Sequence, residues 1–88
     1  MSDKVVLYDY LKSACSALYE EQDAKRYQRI IKNLARQFAK PHKQRQLIHE
    51  INEFFQTIVA ELDDTKSWYY LDDNLNNYYQ FWQNDQLI

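Results

Sequence analysis

Between Leu47 and Leu62 apolar side chains recur at steps of three and four: Leu47, Ile48, Ile51, Phe54, Phe55, Ile58 and Leu62. At about 3.6 residues per turn these positions share one stripe of an amphipathic helix. A lone helix cannot bury such a stripe, so partner helices are required. Upstream, Leu7, Leu11, Ala14 and Leu18, widened by Tyr8, Cys15 and Tyr19, mark a first helix capped by Ser2 or Asp3 and running to about Glu20 or Glu21. Asp23 is a good cap for a second helix from about Ala24 to Ala39, with Tyr27, Ile30, Ile31, Leu34 and Phe38 facing inward. Pro41 disfavours helical geometry at Lys40 but suits a first turn, so a third helix is expected from about Pro41 to Leu62.

The last third is less regular. Asp72, Asp73, Asn74, Asn76 and Asn77 prefer caps and turns to helix interiors, while Leu75, Tyr78, Tyr79 and Trp82 keep a helical spacing. The pattern favours a short helical turn over Trp68–Leu71 and a fourth helix over Asp73–Asn84, with one continuous helix as the alternative. Four amphipathic segments with short connections predict a single all-α domain over residues 1–88, an antiparallel up-down four-helix bundle whose fourth helix is short and rich in aromatics. A three-helix core with a loose aromatic C-terminal arm is the other arrangement compatible with the pattern.

Composition narrows the choice. The 88 residues include no glycine and one proline, which disfavours tight hairpins, phosphate-cradling loops and dinucleotide-binding turns. The lone cysteine, Cys15, cannot form an internal disulfide and is expected in the core as a small hydrophobe, in keeping with a reducing compartment. No apolar run approaches the roughly 20 residues of a membrane span, and no signal segment is visible, so a cytoplasmic protein is expected, peripheral at the inner membrane face where a membrane partner is involved.

The net charge of −2 conceals a segregated layout. Residues 1–23 carry −3; residues 24–49 carry +8 with no acid; residues 50–88 carry −7, and the three values sum to −2. Lys25, Arg29, Lys32, Arg36 and Lys40 share one helical stripe, opposite Tyr27, Ile31, Leu34 and Phe38. A solvated face partly neutralised by neighbouring acids is the simplest explanation for such a ridge. Repulsion among like charges favours instead a footprint for anionic lipid headgroups, nucleic acid or an acidic protein. Nucleic acid is disfavoured, because the aromatics lie in the acidic third and are not interleaved with the bases. It nevertheless leaves a second role open, that of a small regulator binding nucleic acid or an acidic protein through the ridge.

Trp68, Tyr69, Tyr70, Tyr78, Tyr79, Phe81 and Trp82 fall within fifteen residues, too many for one inward stripe. With Leu75, Tyr78 and Trp82 inward, Tyr79 or Phe81 lies at the core margin. The excess either packs there with wet polar tips or forms a recognition surface. Trp68, Tyr69, Tyr70, Tyr79 and Phe81 are the candidate partner-binding residues, together with the ridge. His49 and Glu53 have a spacing compatible with joint metal ligation, and His42 lies two turns from His49, but no full ligand set follows. No catalytic constellation is visible, and no catalytic, metal or cofactor residue is assigned.

The chain resembles the pediocin-like bacteriocin immunity proteins through its helix order, the early Leu7, Tyr8, Tyr10 and Leu11 cluster, the Leu47, Ile48 and Ile51 helix, and the late Leu75, Tyr78 and Tyr79 segment. The resemblance implies a small cytoplasmic four-helix bundle without enzymatic activity or cofactor. Such proteins protect the producer from a pore-forming peptide by acting on the cytoplasmic side of its receptor, the mannose phosphotransferase permease. Recognition of the bacteriocin is implied for the C-terminal half, here the fourth helix and the segment before it. The chain departs from that pattern in its acidic balance and in the short stretch after the fourth helix.

Overall fold

Asp23 begins α2 (Ala24–Phe38) by accepting the backbone N–H of Arg26 at 3.0 Å, the side-chain cap expected of an aspartate before a helix. Ahead of it, α1 (Asp3–Cys15) continues as a π-helical segment, Ser16–Glu20. After α2, Ala39 and Lys40 are extended, as the residue before Pro41 must tend to be, and Pro41–Lys43 form one 3-10 turn leading into α3 (Gln44–Glu53). A second π segment, Phe54–Ile58, extends α3, and α4 spans Asp64–Asn84. The computed structural model describes residues 3–58, 60 and 64–88, with side chains described at all of these except 58 and 64–68. Among the described residues there is no strand.

The first two helices fall where the periodicity puts them, and so does the start of the third. Leu62, the expected end of the third helix, lies outside the described residues. The expected break before Asp73 does not occur: α4 is continuous across Asp72–Asn77. Two tertiary bonds and one within the helix absorb three of the five polar residues that argued for a turn. Asp72 accepts the phenol of Tyr8, Asn76 accepts Lys4, and Asn74 Nδ2 donates to the carbonyl of Tyr70 at 3.0 Å. At about 1.5 Å per residue the 21 residues of α4 span about 31 Å, matching the 32 Å long dimension of the molecule.

One core cluster draws on all four helices: Leu7, Leu11, Ala14 and Cys15 from α1, Tyr27, Ile31, Leu34 and Ala35 from α2, Leu47 and Ile51 from α3, and Leu71 and Trp82 from α4. α1 packs on α2 and α4, and α2 on α3. The two π segments meet at Phe55, which is fully buried. Tyr19, from the first, donates its hydroxyl to the carbonyl of Phe55 in the second, and Tyr27 meets the Phe55 ring edge-on at 5.6 Å. Tyr27 completes the link by donating to Asn52 Oδ1 at 2.8 Å. Both phenols therefore have partners inside the fold, as buried hydroxyls require.

Two helix ends use left-handed residues other than glycine. At the end of α4, Gln86 has φ 60°, Gln86 N–H donates to Gln83 at 2.9 Å, and Leu87 N–H donates to Trp82 at 2.8 Å. This is a Schellman closure, and it returns the fully buried Leu87 to the core beside Trp82. At the end of the first π segment Gln22 has φ 54°, and Asp23 N–H reaches back to Ala17 at 2.8 Å, a closure widened by one residue relative to an ordinary helix.

Candidate interaction surfaces

Burial of Tyr27, Ile31, Leu34 and Ala35 fixes the rotation of α2 and turns the opposite stripe outward. Lys25, Arg29, Lys32 and Arg36 are all exposed on that stripe. Lys40 is also exposed, but it lies past the helix end in the extended connection, so the ridge on α2 itself has four cations and Lys40 follows as an outlier. Among the described residues none of the five pairs with a carboxylate. The neighbouring Arg26 differs: its guanidinium bonds to Glu21. Among the described residues, neutralisation by adjacent acids, the simplest expectation for the ridge, is thus seen only at its flank. Lys25, Arg29 and Lys32, with Ala24 and Gln28, border a shallow depression of about 400 Å³.

The aromatic candidates separate. Tyr69 and Phe81 are the outward ones, 64% and 50% exposed. Tyr70 is half-buried, its ring 5.9 Å from Phe54 and its hydroxyl 2.7 Å from that of Tyr78. Tyr79 is also half-buried and packs against the core. The side chain of Trp68 lies outside the described residues. Tyr69, Tyr70, Tyr79 and Phe81 therefore do not form one face, because successive positions on a continuous α4 point in different directions.

A second concavity, of about 260 Å³, opens between α3 with its π extension and α4, lined by Glu50, Glu53, Phe54, Thr57, Tyr78, Phe81 and Trp82. Phe54 and Tyr78 are 4.5 Å apart at 56°, and Tyr78 and Trp82 are 5.9 Å apart at 45°. Thr57 Oγ1 lies 3.4 Å from one Glu53 oxygen, and His49 Nε2 lies 3.8 Å from the other. The His49–Glu53 spacing thus yields a loose contact, and among the described residues no group of three or more metal-binding side chains converges. Periodicity assigned Phe54, Tyr78 and Trp82 to core faces. It left unseen that Glu50, Glu53, Thr57 and Phe81 sit beside them, since the pairing of the π extension with α4 has no local signature.

Burial raises four phenols above the ordinary tyrosine range. Desolvation takes Tyr19 from 10.0 to about 12, with a smaller contribution from Cys15. The same cause dominates at Tyr27 and Tyr78, and at Tyr8 it is reinforced by the Asp72 carboxylate that accepts its hydrogen bond. Among the described residues no helix is long and apolar enough to cross a membrane. Known protein families, curated proteins and solved structures give no match to this chain.

Proposed function

We propose that this chain is a non-enzymatic interaction protein, built as an antiparallel up-down bundle, that engages an anionic surface through α2. The pairing order supports the bundle topology: Lys4 meets Asn76 and Tyr8 meets Asp72, while Tyr10 donates to Gln37 at 2.7 Å. The observation that carries the function is the ridge itself. Lys25, Arg29, Lys32 and Arg36 are exposed on one stripe, and among the described residues no carboxylate pairs with them to offset their mutual repulsion. Phosphate-bearing lipid headgroups or an acidic protein face would offset it.

The resemblance to pediocin-like immunity proteins supplies the particular form of this proposal: cytoplasmic protection of a producer cell, at the inner membrane face, against a pore-forming peptide bound to its mannose phosphotransferase permease. Expression in a sensitive strain is expected to reduce killing by at least one pediocin-like peptide. The Arg29→Gln/Lys32→Gln double variant is expected to lose that protection while remaining folded. Unchanged killing across a panel of such peptides overturns the immunity role. Salt-sensitive binding of the purified chain to DNA or RNA, with no affinity for anionic vesicles, would replace it with a nucleic-acid partner.

A further inference from the structure

The groove between α3 and α4 combines aromatic walls, which suit a cation as well as an apolar ligand, with carboxylates that only a cation needs. Its walls are aromatic, with Phe54, Tyr78 and Trp82 inclined to one another at 45–56° and Phe81 half exposed at the opening. Its other lining includes two carboxylates, Glu50 and Glu53, three residues apart on α3 and therefore neighbours on the helix surface. Among the described residues neither carboxylate is paired with a lysine or arginine; Glu53 has only Thr57 and the 3.8 Å contact with His49. Aromatic faces attract cations through their quadrupole, and adjacent carboxylates add direct charge attraction.

We propose that this groove receives a single lysine or arginine side chain presented by a basic segment of a partner protein. Its volume of about 260 Å³ lies below the roughly 300–1,000 Å³ of drug-sized sites and suits one side chain. The alkyl stem packs on the Phe54, Tyr78 and Phe81 rings, and the charged head meets Glu50 and Glu53. This site is independent of the ridge on α2: it has the opposite charge and lies on other elements.

The test is NMR titration of the full chain with hexalysine and hexaarginine, and with hexaglutamine as the uncharged control. Saturable shifts are expected at Glu50, Glu53, Thr57, Tyr78 and Phe81 with the basic peptides alone. The Glu50→Gln/Glu53→Gln variant is expected to weaken binding about tenfold, the upper range for two exposed pairs. Phe81→Ala, at a half-exposed position outside the buried core, is expected to weaken it about two- to fivefold through the lost ring. Asp73→Asn, at an exposed acid outside the groove, is expected to have no effect. Equal weakening by Asp73→Asn, or full affinity in Phe81→Ala, overturns the proposal by reducing the binding to general charge attraction. A concentration-dependent dimer that perturbs the same residues without peptide, and that Arg29→Gln abolishes, overturns it in favour of a second copy as occupant.

Discussion

Tyr27 shows how one side chain fixes several relationships at once. Its ring fills the core against Phe55, and its hydroxyl reaches across to Asn52, so α2 is tied to α3 by both packing and a hydrogen bond. The same burial makes the phenol harder to ionise, as it does for Tyr8, Tyr19 and Tyr78. A phenol whose pKa folding raises keeps its proton in the native chain at a pH where the unfolded chain has lost it. Its contribution is complete below the ordinary value of 10.0 and disappears as pH climbs through about 12 for Tyr19 and higher for the others. Stability measured by urea unfolding is therefore expected to be flat with respect to these groups up to about pH 10 and to fall steeply above it. The tyrosinate absorbance of Tyr8, Tyr19, Tyr27 and Tyr78 should appear late, as the folded protein unfolds. Titration of all eight tyrosines together near the ordinary value would show that these phenols are not buried as described.

Helix limits were legible wherever the sequence supplied its own stop. Asp23 and Pro41 bound α2 by cap chemistry and by ring sterics, and the structure places its ends within a residue of the expectation. The continuity of α4 was not legible, because its polar interior is held by Lys4 and Tyr8, some seventy residues away in sequence. The π segments were hidden for a related reason: an inserted residue shifts the inward stripe by one position, which the apolar clusters around Leu18 and Phe54–Phe55 tolerate on either register. The helix ends give a sharper test. Gln86 occupies a left-handed conformation, which costs a residue with a Cβ roughly 1–2 kcal/mol, and the chain has no glycine to place there. Allowing for the greater freedom of glycine in the unfolded chain, Gln86→Gly is expected to stabilise by about 0.5–1 kcal/mol in urea unfolding. Leu87→Ala, which empties a fully buried position just beyond it, should cost about 2–5 kcal/mol. A neutral Leu87→Ala would mean that the Schellman closure does not anchor α4.

Across the whole molecule, the interior is arranged for stability and the charges are not. Eight cations fall in residues 24–49 with no acid among them, and α2 carries Lys25 in its first turn, where the helix dipole favours an anion. Lys25 also faces Arg29 one turn on, a like-charge pair four residues apart. Sequence alone revealed this segregation, but only the fold shows where two of the flanking acids go: Glu21 bonds to Arg26, and Asp72 accepts the phenol of Tyr8. If the ridge served stability, reversing one of its charges would weaken the fold. Lys25→Glu is expected to do the opposite, adding about 0.3–1 kcal/mol from the dipole and about 0.2–0.5 kcal/mol from a new attraction to Arg29. Urea unfolding at low ionic strength should register the gain, and added salt should shrink it by screening both contributions. The same variant is expected to bind anionic vesicles more weakly than the parent chain, since it removes one cation and adds an anion at the end of the ridge. A loss of stability in Lys25→Glu would make the ridge part of the scaffold. A gain in stability coupled to a loss of binding would identify it as a surface maintained against the preference of the fold.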